Sequence, residues 1–169
     1  AGSRAAGRTV EHEIDEVAGH RPRQRHDDAL VEEQARPMGR NAAGVAGIKP
    51  VGDDVLIGLA LVSDQSTLLV ASENGIGKRT SFAEYRSQSR GGKGSITMKV
   101  TEKTGAVGGA VAVEEEDELM LMTTGGQSIR IRCSEIRETG RNAQGVKLVT
   151  LRGEERLQDI AKVLSGEEA

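Results

Sequence analysis

Gly39-Arg40-Asn41-Ala42-Ala43-Gly44-Val45 returns twice along the chain, as Ser89-Arg90-Gly91-Gly92-Lys93-Gly94-Ser95 and as Gly140-Arg141-Asn142-Ala143-Gln144-Gly145-Val146. Arg40 and Arg90 stand 50 residues apart, and Arg90 and Arg141 stand 51 apart. A second alignment gives the same spacing. Leu68-Leu69-Val70-Ala71-Ser72-Glu73-Asn74-Gly75 matches Leu119-Met120-Leu121-Met122-Thr123-Thr124-Gly125-Gly126 at an offset of 51. Downstream of it, Arg79 falls on Arg130 and Glu84 on Glu135. A fixed period of this length marks a chain built from repeated supersecondary units.

Inside one period the pattern is β. Ser95 to Val100 alternates, Ala106 to Val113 is small and apolar, and Leu119 to Met122 is a short apolar run that ends in the turn signal Thr-Thr-Gly-Gly. Ser128 to Arg132 alternates strictly, with Ile129 and Ile131 on one face and Arg130 and Arg132 on the other. Four short strands in about 50 residues describe a propeller-like blade. A plain β-meander is the competing arrangement, and the period shared by two independent alignments favours the blade. The expected fold is all-β, a partial propeller-like domain of four-stranded blades. Residues 35–86 read as one blade, 87–137 as a second, 138–163 as the closing strands of the terminal repeat, and 164–169 as an acidic tail. Residues 1–34 break the pattern. They lack strand alternation and hold all three histidines (His12, His20, His26). They read as a disordered or artefactual segment, the alternative being a helix with Val10, Ile14 and Val17 on one face.

Composition narrows the functional classes. The chain has one Phe, one Tyr and no Trp, which disfavours aromatic stacking platforms and aromatic-rich protein-binding loops. The longest apolar run, Val55 to Val62, is too short to span a bilayer, and no basic-then-apolar leader opens the sequence. The single Cys133 cannot form an internal disulfide, so a reducing cytoplasm is the expected location. The net charge of −3 conceals a mildly basic middle: residues 36–152 hold 16 basic and 13 acidic side chains, between two acidic ends. Local charge selects partners, so the low overall pI does not exclude nucleic acid.

The most specific segment is Tyr85-Arg86-Ser87-Gln88-Ser89-Arg90-Gly91-Gly92-Lys93-Gly94. It resembles the Gln-Arg-Arg-Gly-Gly-Lys-Gly box of the C-terminal domain of the DNA gyrase A protein, in six of seven positions, with Ser89 in place of the first arginine. Arg36-Pro37-Met38-Gly39-Arg40, Glu73-Asn74-Gly75-Ile76-Gly77-Lys78-Arg79-Thr80 and Gly140 to Val146 resemble other parts of the same domain. The similarity spans about residues 31 to 163. It implies the last two blades of a β-pinwheel, a disc whose basic rim bends DNA. The family's strict box lies on its first blade, whereas this near-complete box lies on a later one. The resemblance further implies double-stranded DNA, the remainder of the gyrase A protein and the gyrase B protein as partners, and association with the chromosome. It implies a part in ATP-dependent negative supercoiling by a type II topoisomerase, with ATP, Mg²⁺ and the DNA-cleaving tyrosine acting elsewhere in the holoenzyme. The corresponding protein of topoisomerase IV, which has more eroded boxes, and a protein-binding propeller fragment are the alternatives.

The residues themselves suit a phosphate rail. Duplex DNA is held without base reading by Arg and Lys spaced along one surface. Arg40, Arg90 and Arg141 occupy equivalent places and are expected on one surface. Lys78, Arg79, Arg130 and Arg132 form a second expected set. Gly91, Gly92 and Gly94 allow close backbone approach and N–H donation to phosphate, with Gln88, Arg90 and Lys93 beside them. Other motifs fail. Gly91-Gly92-Lys93-Gly94 lacks the Ser/Thr that a phosphate-binding NTPase loop needs after its lysine, and Gly77-Lys78-Arg79 fails likewise. The histidine spacing matches no common metal site. Cys133 and Tyr85 read as packing residues, and Glu114 to Glu118 as a solvated turn that could repel DNA.

Overall fold

The computed structural model describes residues 14–19, 24–30, 37–52, 54–91 and 94–163. Their eleven strands are β1 (Ile14–Gly19), β2 (Gln24–Leu30), β3 (Val55–Leu61), β4 (Thr67–Ser72), β5 (Ile76–Ser81), β6 (Ser95–Lys99), β7 (Val107–Val113), β8 (Glu118–Thr123), β9 (Ser128–Arg132), β10 (Val146–Lys147) and β11 (Leu157–Val163). Three antiparallel sheets result, in the orders β3-β1-β2-β6, β7-β4-β5-β10 and β11-β8-β9.

The three orders are one order repeated. Each sheet is centred on a hairpin: β1–β2, β4–β5 or β8–β9. The first hairpin strand pairs with the long strand that follows its hairpin, β3, β7 or β11, of which β3 and β7 lead on to the next hairpin. The second hairpin strand pairs with a strand that arrives from after the following hairpin: β6 on β2, and β10 on β5. The repeats are therefore stitched together through main-chain hydrogen bonds. Among the described residues no strand pairs with the outer edge of β9, and its alternate Arg130 and Arg132 are the charged kind of side chain that guards an exposed edge.

This exchange corrects two sequence expectations. The blades do not follow the boundaries 35–86 and 87–137, because β6 belongs to the sheet of β1–β2 and β10 to the sheet of β4–β5. A period shows the length of a repeat but not where one hydrogen-bonded sheet ends. The described residues also form three sheets where two blades were expected, since residues 14–19 and 24–30 are strands. Ile14 and Val17 pair across to Leu61 and Gly58 of β3 and do not form a helical face. Main-chain pairing on both sides of the hairpin needs no alternation of side chains, so these strands leave no period-two pattern in the sequence. His26 lies on β2 opposite Ala18, whereas Val10, His12, His20 and the tail 164–169 fall outside the described residues.

β4 shows why the core strands read as unbroken apolar runs. Leu69 and Ala71 enter one core with Val113, Leu119, Leu121, Cys133, Leu157 and Ile160. Leu68 and Val70 enter a second with Ala60, Phe82, Met98 and Val107, against which Tyr85 packs. Both faces of the strand are covered, so neither needs polar residues. The lead-in strand β3 differs: Val55, Leu59 and Leu61 are exposed on one of its faces.

Docking of β10 on β5 demands glycine. Gly145 precedes β10 at φ 92°, and a β-carbon there would sit 2.5 Å from the carbonyl oxygen of Gly77. Gly145→Ala is expected to cost at least about 1–2 kcal/mol from left-handed backbone alone. It should appear as a lower urea midpoint at unchanged slope; an unchanged midpoint would refute the docking. Burial, reinforced by the neighbouring Asp117 carboxylate, pushes the Cys133 thiol up to about 11. Its thiolate is therefore scarce at neutral pH. Native protein should react with a thiol reagent far more slowly than protein in denaturant, and equal rates would place Cys133 at the surface.

Candidate nucleic-acid interface

The three arginine loops share a left-handed glycine. Gly44, Gly94 and Gly145 hold the same position in each, and their φ angles are 85°, 76° and 92°. In the first and third loops the same turn closes, Ala42 N–H donating to Gly39 O and Ala143 N–H to Gly140 O, both at 3.0 Å. Arg40 and Arg90 are exposed and Arg141 is half-buried. The loops are also neighbours. Gly91 N–H donates to Gly47 O, which joins the second loop to the tail of the first. Gly94 and Ser95 line one cleft together with Arg141 and Asn142, which joins the second loop to the third. The arginines expected on one surface thus sit on contiguous loops.

Several expected contacts are placed elsewhere. The Gly91 N–H is taken by Gly47 and is not open to a ligand. Gln88 is half-buried and donates from Nε2 to Ser95 Oγ at 2.8 Å, tying the two ends of the loop. Gly92 and Lys93 lie outside the described residues.

The largest correction concerns Lys78 and Arg79, which are 0% and 4% exposed. The Lys78 ammonium donates to Gly140 O at 3.2 Å and to Arg141 O, so it grips the third arginine loop from below. Arg79 donates from Nε to Ile136 O at 2.7 Å and pairs with Glu115 at 2.8 Å. Its own carbonyl accepts from Thr139 N–H at 2.9 Å. These two side chains hold the following repeat in place and present no charge to a ligand. A lysine buried without such partners would be strongly disfavoured.

Arg130, the repeat equivalent of Arg79, meets the opposite fate. No strand covers β9 among the described residues, and Arg130 and Arg132 have side chains 57% and 71% exposed. Arg130 is hydrogen-bonded to Glu118, and Arg132 lies 3.7 Å from the same carboxylate. The acidic run is thus more than a solvated turn. Glu115 neutralises Arg79, Glu118 faces Arg130 and Arg132, and Asp117 pairs with Lys162 at 2.6 Å. Glu114 and Glu116 stay exposed.

Sequence reasoning missed Arg86. It is exposed and lines the same cleft as Gly94 and Arg141. Its signal was available: Arg36, Arg86 and Arg137 each stand four residues before a loop arginine, at the same period.

The chain matches the DNA gyrase C-terminal domain, β-propeller, over residues 31–63, 66–113 and 117–163. It belongs to that family. The gyrase A protein of Helicobacter pylori is 49% identical over 119 residues, which are 69% of this chain and 14% of the relative. That of Klebsiella oxytoca is 44% identical over 140 residues, 81% of this chain and 16% of the relative. The chain thus spans about a seventh of the length of these relatives. A solved gyrase A C-terminal domain superposes with a TM-score of 0.78 at 26% identity, covering 91% of this chain and 52% of that one. A topoisomerase IV C-terminal domain reaches 0.79 at 20% identity, covering 90% and 47%, and shares the fold. The three matched stretches of the propeller family begin after β2, so the first hairpin supplies a blade's central strands from outside the match.

Lys78→Met keeps most of the stem of this gyrase-family lysine but leaves the Gly140 and Arg141 carbonyls without their donor. The loss should be about 1–3 kcal/mol in denaturant unfolding. Stability equal to the parent would mean that the grip contributes nothing.

Proposed function

We propose that the chain holds duplex DNA through its phosphates along the contiguous arginine loops, and bends it, as a module of a DNA gyrase A protein. The observation that carries this reading is the recurrence of an arginine and a left-handed glycine at matching places on contiguous loops of adjacent repeats. Arg40, Arg90 and Arg141 supply the charge, with Lys93 added from the box. The exposed arginines Arg130 and Arg132 extend the basic surface at one end. Lys78, Arg79 and Gln88 act behind this surface by fixing the loops. The described residues offer no recognition helix and no stacking platform, so binding is tolerant of sequence and favours duplexes that bend easily.

Bending a site of 20–30 base pairs through 40–90° costs about 1–6 kcal/mol, so several phosphate contacts must act together. Successive loops meet that need. In the whole enzyme, with the gyrase B protein as partner, the held DNA would present a segment for ATP-driven strand passage and negative supercoiling. Relatives at 44–49% identity favour gyrase over topoisomerase IV as the parent enzyme.

Binding of the 169-residue chain to a fluorescent linear duplex across a salt series tests the reading. Affinity should fall steeply with salt, and Arg90→Ala/Lys93→Ala should bind more weakly with a shallower slope. A folded chain that binds no duplex even at low salt overturns it.

A further inference from the structure

The cleft shared by the second and third loops brings together residues far apart in the chain. Glu84, Arg86, Gly94, Ser95 and Ile96 line it together with Arg141 and Asn142. We propose that this cleft is a composite seat for a single backbone phosphate of duplex DNA, with Arg86 as a binding residue that faces Arg141 across it. The inference rests on the DNA-holding function proposed above and assigns one of its contacts.

Four features support the seat. Both guanidinium groups are uncommitted to any carboxylate among the described residues, unlike those of Arg79, Arg130 and Arg132. Gly94, at φ 76°, carries no β-carbon into the cleft. Ser95 Oγ accepts from Gln88 at 2.8 Å, which leaves its hydroxyl proton for an outside oxygen. The charges also match: two arginines and one glutamate sum to a single positive charge, which complements the single negative charge of a phosphodiester.

The walls are held from behind. Arg86 follows the short turn Phe82–Glu84, whose Phe82 is buried in the core against which Tyr85 packs. Arg141 rides on the carbonyls that the buried Lys78 ammonium grips. Lys78 is thus a positioning residue for the seat. Arg36 and Arg137 stand where Arg86 stands in its repeat.

The test compares the full chain with Arg86→Ala, Arg141→Ala and the double variant on one linear duplex across a salt series. All four should remain folded by circular dichroism, since neither side chain is in a core. A seat that neutralises one phosphate predicts that the double variant lowers the slope of log affinity against log salt by about 0.9. It also predicts coupling: the double loss should be clearly smaller than the product of the two single fold-losses. A parent chain that binds, with a double variant of unchanged slope, overturns the seat alone. Independent losses and a slope change of about 1.8 would mean two separate phosphates and also overturn it. A parent chain that binds no duplex overturns the seat together with the function on which it rests.

Discussion

An ammonium group shut away from water must find oxygen atoms inside the protein. Lys78 finds them on the repeat that follows its own, at the carbonyls of Gly140 and Arg141. Much else depends on this grip. It lies beside the pairing of β10 with β5 and beside the contact of Gly145 on Gly77, so the third loop is fixed by charge, by main-chain hydrogen bonds and by close approach of backbone. Repeat units of this kind bury their apolar faces against neighbours rather than within themselves. The exchange of strands adds direction, because the first two sheets each take a strand from the residues that come after them. Loop position is thus set by inter-repeat geometry.

The same residue types serve opposite ends depending on what covers them. Arg79 and Arg130 occupy one register in consecutive hairpins. Arg79 is enclosed because β10 and the segment 136–141 lie against β5, and it serves as an internal strut between Ile136 O and Glu115. Arg130 lies on an uncovered strand, and its pairing with Glu118 leaves it largely exposed. Exposed pairs of that kind contribute little to stability. Its charge can therefore change partner at little cost.

Much of the architecture was legible in the sequence. Two alignments at offsets of 50–51 gave the repeat, and the patterns at 119–122 and 128–132 gave a hairpin that the structure contains. The arginine loops were legible as equivalents, and their shared left-handed glycines explain why those positions repeat. Three things were not legible. Strand exchange leaves no local mark, since a period has no phase. The first hairpin lacks alternation, and main-chain pairing by itself imposes none on the sequence. Burial of Lys78 and Arg79 could not be seen either: a basic pair on a strand looks identical whether the next repeat folds over it or leaves it in water. Arg86, by contrast, could have been found by applying the period to Arg36 and Arg137.

In the proposed function the contiguous arginine loops hold DNA along a bent path rather than merely attracting it. Energy transfer between dyes at the two ends of a duplex of about 30 base pairs, within the range that proteins bend at moderate cost, addresses this directly. Saturating chain should raise the transfer efficiency, and added salt should reverse the rise together with binding. A duplex that binds at saturation while its ends stay as far apart as in free DNA would contradict the account, leaving a basic surface that binds but does not bend.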